Sequence, residues 1–221
     1  MAAAHEAPEF VQITRPGEVT PDLRRQLIDC WAAVANTGGA VIARSFPMPP
    51  VSARHVGPEV DRLAGELDPE RGRMIVATVR EAVAGWLIVR REPHPLVAHR
   101  GVVNHVMTHP RVRGHGVGAA LMRRASDVAR AEMGLEQLEL AARGGVGLED
   151  FYAKLGWVEI GRCPRALRVA PGDDRDEILM ILTLPAPGPE RSAPGPEHPH
   201  HVPERSAPGP GHPGRRPKAR G

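Results

Sequence analysis

Three glycines within five residues, flanked by two arginines, make Arg111–Gly118 the segment of this chain best suited to chemistry. The run is Arg113-Gly114-His115-Gly116-Val117-Gly118, with Arg111 just ahead of it. Glycine lets a backbone approach an anion without a Cβ in the way. Apolar residues at helical spacing begin at Val117, and the start of a helix offers unpaired N–H groups and the positive end of aligned peptide dipoles. Arg111 and Arg113 add formal positive charge. The chemistry implied is anion capture, and the natural guest bears a phosphate.

Such a loop works only if it is held between regular elements. Upstream, Val102, Val103, Val106 and Met107 read as a buried strand closed by Thr108, because His109-Pro110 cannot continue a ladder. Downstream, Val117, Leu121, Ala125, Val128 and Ala129 share one face of a helix that Gly134 stops. The rest of the chain supplies partners for this unit. Glu9–Thr14 alternates as a short strand, and Thr20-Pro21-Asp22 starts a helix carrying Leu23, Leu27, Trp31 and Val34 inward. An irregular stretch, Ala40–Gly57, precedes a predicted helix over Pro58–Leu67. Its Phe46, Met48 and Val51 suggest an apolar wall. Arg73–Val79 and Ala82–Val89 form an antiparallel hairpin around Arg80-Glu81. Leu135–Ala141 follows a helical crossover and is therefore parallel to the central strand. A short helix over Leu148–Leu155 and strands over Trp157–Gly161 and Ile178–Leu184 complete the set, with Pro171-Gly172-Asp173-Asp174 in the loop between those strands. The order β-α-α-β-β-β-α-β-α-β-β predicts an α/β fold, a mixed sheet with helices on both faces.

This body spans residues 9–184, after an N-terminal stretch 1–8 without packing signals. From Pro185 to Gly221 the chain holds eleven prolines and six glycines, and the unit PERSAPGP occurs at 189–196 and again at 203–210. Such a segment cannot bury enough apolar surface to offset its ordering entropy, so a disordered, extended tail is expected. It carries six Lys/Arg against three Asp/Glu, so the formal +3 of the whole chain resides there and the body is neutral. A neutral body argues against nucleic acid as partner. Cys30 and Cys163 lack metal-ligand spacing and are expected to be small buried hydrophobes in a reducing compartment. The tail histidines lack packed supporting partners, and no metal is expected. With no leader-like or membrane-length apolar run, a cytoplasmic protein without membrane contact is expected.

Taken together, these residues resemble the GNAT superfamily of N-acetyltransferases. Arg113–Gly118 fits the family's (Q/R)-x-x-G-x-(G/A) acetyl-CoA signature, and Thr108-His109-Pro110 stands where it shows V-x-P. Phe151-Tyr152-Ala153-Lys154-Leu155-Gly156-Trp157 looks like its F-Y-x-x-x-G-F segment. From Phe151 to Leu184 the chain is most similar to the tabtoxin-resistance type. The resemblance implies a sheet splayed between its two parallel strands, with acetyl-CoA as the donor cosubstrate in the gap. The backbone of Val106, Met107 and Thr108 would pair with the pantetheine arm and polarise the thioester. The N–H groups of Arg113, Gly114, His115, Gly116, Val117, Gly118 and Ala119 would hold the pyrophosphate. Tyr152, the only tyrosine, falls at the general-acid position, and a phenol of pKa near ~10 stays protonated at neutral pH and can protonate a departing thiolate. Acetyl would pass directly to an amine acceptor, a small molecule given the apolar Ala40–Gly57 loop.

The family's acids are missing. Val102 and Ala141 occupy positions where relatives carry a carboxylate, and Gly145 replaces a motif asparagine. His105, Glu139 and Asn104 are the nearby stand-ins. Two rivals follow. Gly114-x-Gly116-x-x-Ala119 with Glu139 about twenty residues on satisfies a dinucleotide fingerprint, although the turn His109–Arg113 separates it from its strand. A non-catalytic acyl-CoA-binding module with a partner-recruiting proline-rich tail is the other. The oligomeric state is left open, a homodimer included.

Overall fold

The structure is a computed structural model that describes residues 6–39 and 45–185. All of these lie in one compact unit, Met1–Gly188, while a second unit, Pro189–Gly221, falls outside them. The expectations for the repeat-bearing tail, its histidines, residues 1–5 and the loop segment 40–44 therefore also lie outside the described residues.

The elements are β1 (Glu9–Ile13), α1 (Pro21–Asn36), α2 (Ala53–Gly65), β2 (Gly72–Val79), β3 (Ala82–Arg91), β4 (Arg100–Thr108), α3 (Val117–Ala131), β5 (Gln137–Arg143), α4 (Leu148–Ala153), β6 (Val158–Ala170) and β7 (Asp173–Thr183). They build one seven-stranded sheet in the order β1-β2-β3-β4-β5-β7-β6. Every neighbouring pair is antiparallel except β4–β5, the pair joined through α3. The fold is thus the mixed α/β sheet that the order of elements predicts, with a helical layer on each face.

Each layer has its own core. On one face, Val117, Leu121, Ala125, Val128 and Ala129 of α3 pack with Tyr152 of α4 on Ile75, Leu87, Val103, Leu138 and Ile178 of the sheet. On the other, Leu27, Trp31 and Val34 of α1 and Val56, Val60 and Leu63 of α2 cover Met74, Val76, Trp86, Ile88 and Met107. Trp31 and Trp86 are fully buried and meet edge to face, ring centroids 5.5 Å apart. Burying a large apolar side chain contributes about 1.5–3 kcal/mol, so these two faces dominate the stability.

Local chemistry accounts for most boundaries. The Thr20 side chain accepts from Leu23 N–H at 3.2 Å and caps α1. The β2–β3 hairpin turns on Arg80 and Glu81, both at positive φ (51° and 63°), the geometry a two-residue hairpin demands.

Several expectations need correction. Helix α2 starts at Ala53 and runs through Pro58. Proline suggested a start, but Val56, Val60 and Leu63 keep the apolar face continuous across it, and Ser52 with His55 caps the turn in front. Phe46 and Val51 are core residues, Phe46 against Trp31 at 5.0 Å, and of the three apolar residues expected to form a wall only Met48 is exposed. Last, β6 and β7 form a long hairpin through the segment expected to be loop. Its sequence is polar, and cross-strand ion pairs Arg162–Asp176, Arg165–Asp174 and Arg168–Asp174 take the place of apolar alternation. The expectation of two buried cysteines holds for Cys30, its thiol pushed up to about 12 by desolvation, but not for Cys163, which lies exposed on the polar hairpin strand β6.

Candidate active site

Two backbone irregularities open the sheet where the glycine loop lies. Strands β4 and β5 pair only at Arg100↔Gln137, Gly101↔Leu138 and Val102↔Glu139, and beyond that they diverge. At the apex Arg100 and Glu139 form an ion pair, which occupies the Glu139 carboxylate. Upstream of Thr108 the β3–β4 register slips, with Ile88 opposite Asn104 but Trp86 opposite Met107. One extra residue is accommodated at His105, whose φ is 56°. The bulge flips the side-chain alternation, so Val103 faces the α3 core while Met107 faces the α1–α2 core.

The gap is a cavity of about 1040 Å³, at the upper end of the range for small-ligand sites. One wall is the strand end and the helix entrance: Val106, Thr108, Arg113, Gly114, Gly116, Val117, Gly118 and Ala119. Met107 and His115 do not line it. Met107 is opposite Trp86, and its carbonyl oxygen would stand 2.4 Å from a Cβ built on Gly85, so its peptide turns toward β3. His115 is exposed on the loop. Gly114 and Gly116 both have φ of 80° with open space where a Cβ would be, and Gly116 caps α3. Gly118 is needed for a different reason. A Cβ there would lie 2.9 Å from Thr108 Oγ1 and 3.5 Å from Phe151 Cζ, so only glycine lets α3 start this close to the strand end. An open, cation-flanked row of peptide groups at a helix start fits a diphosphate. Among the described residues there is no His/Cys/Asp/Glu cluster that could hold a metal ion.

Tyr152 stands on α4 against Phe151 (5.1 Å) and Trp157 (6.0 Å) and lines the same cavity. It is 5% exposed, and burial pushes its phenol well above the ordinary value, so it holds its proton at neutral pH.

The opposite wall comes from residues scattered along the chain: Val34, Gly38 and Gly39 at the end of α1, Asn104 and His105 on β4, Ala141 and Arg143 on β5, and Glu177 on β7. The His105 ring stacks on Trp86 (5.9 Å) and meets Trp31 edge-on (5.1 Å), and its Nδ1 is buried without a hydrogen-bond partner among the described residues. Desolvation, aided by Arg90 and Arg62, lowers its pKa to about 4. Arg143 is 9% exposed and donates from Nη1 to Gly38 O (3.1 Å) and from Nη2 to Gly39 O (3.0 Å), tying β5 to the end of α1. A smaller cavity of about 590 Å³ shares Gly38, Gly39, Arg143 and Val146 with the main one and extends toward Met48 and Arg175. Gly145, at the motif asparagine's position, gives its N–H to the Glu149 carboxylate at 2.9 Å.

Arg143 and Glu177 were not among the sequence-derived candidates. Both lie in stretches read as loops, and the only signal was indirect: basic residues at 162, 165 and 168 mirroring acids at 174 and 176, the mark of a charged hairpin that would carry residue 177 back to β5.

The profile described as Acetyltransferase (GNAT) family matches residues 41–157. Several solved structures share the fold at low identity. An acetyltransferase of the GNAT family from Streptococcus pneumoniae is 18% identical, with 79% of this chain and 99% of that chain covered and a TM-score of 0.58. The ribosomal-protein-S18-alanine N-acetyltransferase from Escherichia coli gives 16%, 84%, 99% and 0.57. The protein yncA from Salmonella typhimurium, in a structure with its cofactor acetyl-CoA, gives 15%, 85%, 100% and 0.59. No curated protein sequence matches the chain. With the family profile covering more than half of its length, and the splayed sheet and glycine-capped helix in place, the chain belongs to the GNAT family of acetyltransferases, enzymes that take acetyl from acetyl-CoA to amine acceptors.

Proposed function

We propose that the chain moves acetyl from acetyl-CoA directly to the primary amine of a small molecule, with Tyr152 as the proton donor to the departing thiolate. The observation that carries this reading is the shared cavity: Arg113, Gly114 and Gly116–Ala119 of the glycine loop and helix start, Val106 and Thr108 of the strand end, and the protonated Tyr152 phenol all border one space. In this reading the amides of Arg113, Gly114, His115, Gly116, Val117, Gly118 and Ala119 cradle the diphosphate, that of Arg113 after giving up its 3.4 Å bond to the Pro110 carbonyl. The strand end at Val106, Met107 and Thr108 aligns the pantetheine arm, with Val106 and Thr108 bordering the gap. The phenol neutralises the sulfur as the C–S bond breaks, a contribution typical of general acids. The acceptor approaches from the Asn104–His105 side, where the ring of His105 is neutral above its lowered pKa.

A thiol-release assay against a panel of amines, amino acids, antibiotics and peptides tests this. Free CoA is expected with at least one small amine. Acetyl-CoA that raises the melting temperature while no amine releases CoA would replace the reading with a non-catalytic acyl-CoA-binding module, which the acid-free positions Val102 and Ala141 favour. A melting-temperature rise with NADH instead of acetyl-CoA would point to the dinucleotide reading.

A further inference from the structure

An amine acceptor arrives as an ammonium ion and must lose a proton before it can attack, yet neither Val102 nor Ala141 can take one. Among the described residues lining the main cavity, Glu177 is the one carboxylate. Its position follows from register. Glu177 is directly opposite Arg143 in the antiparallel β5–β7 pair, so the two side chains share a sheet face. Ile178 and Met180 pack into the core beneath α3 and α4, which places Glu177 on the other face, together with Ala141 and Arg143. Tyr152 belongs to the α3–α4 core. The carboxylate and the phenol therefore flank the gap from opposite faces of the sheet.

Oppositely charged residues so paired ordinarily bond each other. Here the Arg143 guanidinium turns to the carbonyls of Gly38 and Gly39, and the Glu177 carboxylate has no hydrogen bond or ion pair among the described residues. The neighbouring acids of the hairpin, Glu159, Asp173, Asp174 and Asp176, are all bonded to arginines. Glu139 is held by Arg100. His105 is a poor substitute, since its ring is wedged between Trp31 and Trp86 with Nδ1 sealed in. A partly buried carboxylate deprived of its natural cation, facing the space where an amine must enter, is a cation site.

We propose that Glu177 receives the ammonium of the acceptor and takes its proton, which makes the acceptor a cationic primary amine; this rests on the transferase reading above. The ammonium proton moves to a Glu177 oxygen, and the freed nitrogen pair forms the C–N bond to the acetyl carbon. The C–S bond breaks and its electron pair stays on sulfur, which takes the phenolic proton of Tyr152. As the amide forms, the nitrogen gives up its second proton, which restores the Tyr152 phenol through solvent, and Glu177 releases the first proton to solvent.

The test uses the full chain with Glu177→Gln and Glu177→Asp. The acceptors are the best cationic amine of the panel and its fluorinated analogue, which is neutral at the assay pH. For Glu177→Gln, the acetyl-CoA melting shift is expected to be unchanged. Its kcat/KM for the cationic amine is expected to fall about 100-fold, and that for the neutral analogue less than about 10-fold. Glu177→Asp, which keeps the charge, should recover at least about tenfold of the loss, and its ratio between the two amines carries the test if the glutamine variant does not fold. Activity of Glu177→Gln within about threefold of wild type, or equal losses for both amines, overturns the assignment while the transferase reading stands. A wild-type chain that binds acetyl-CoA and acetylates no amine removes both.

Discussion

The two walls of the cavity, one of which we assign to the donor and the other to the acceptor, are made of different materials. The donor wall, from Thr108 through the start of α3, is main chain: two glycines at φ of 80°, a third admitted against Thr108, and peptide groups left open at a helix end. The acceptor wall is side chain, with Asn104 and His105 from β4, Arg143 from β5 and Glu177 from β7 brought together only by the sheet. A main-chain site depends on backbone conformation and on what is missing at Cβ. A side-chain site depends on charge and protonation, and so can be retuned by single substitutions.

The sharpest separation of the walls is expected from Tyr152→Phe. Its ring packing survives and its proton is gone, so kcat should fall about 10²–10³-fold with acetyl-CoA affinity unchanged, as steady-state rates and calorimetric titration would record. A parallel loss of affinity would mean that Tyr152 belongs to the donor wall instead.

The acceptor wall should also be the pH-sensitive one. His105 has a folded pKa of about 4 against 6.5 unfolded, so the unfolded chain binds the proton first as pH drops. Its contribution to stability is full above pH 6.5 and is lost as pH falls toward 4, by about 3 kcal/mol across that window. Arg90 and Arg62 deepen the effect, while Glu59 and Glu66 oppose it. Urea unfolding from pH 7 to 4 should therefore flatten in His105→Asn, a residue that tolerates the positive φ at the bulge. An unchanged slope would take His105 out of the account.

On the donor wall, Gly118→Val drives a side chain into Thr108 and Phe151. About 1–3 kcal/mol of overpacking is expected, read as acetyl-CoA affinity about tenfold or more weaker in titration. On the acceptor wall, Arg143→Met leaves the Gly38 and Gly39 carbonyls unbonded. A loss of about 1–3 kcal/mol in urea unfolding with unchanged acetyl-CoA affinity is expected. If the same substitution abolished donor binding, the division into two walls would fail.

The difference in material also explains what could be read in advance. Arg113–Gly118 and the strand before it are local, since turn chemistry, proline and helix spacing all lie within a few residues, and so the donor wall was visible in the sequence. So was the β2–β3 hairpin, with only Arg80 and Glu81 between two apolar runs. The acceptor wall needed long-range register. The extra residue at His105 has no composition signature, and β7 begins in Asp173-Asp174-Arg175-Asp176-Glu177, where charge pairing with β6 stands in for apolar alternation. Pro58 misplaced the start of α2 because tertiary burial of Val56, Val60 and Leu63 outweighed one missing backbone donor.

The central claim is that the peptide groups from Arg113 to Ala119 grip the diphosphate of coenzyme A. Amide hydrogen exchange of the full chain with and without acetyl-CoA tests it most directly. Slower exchange is expected at residues 113–119 and at the strand end 106–108, with no change in the β6–β7 hairpin. Protection confined to other segments, with residues 113–119 exchanging as fast as in the free protein, would contradict it.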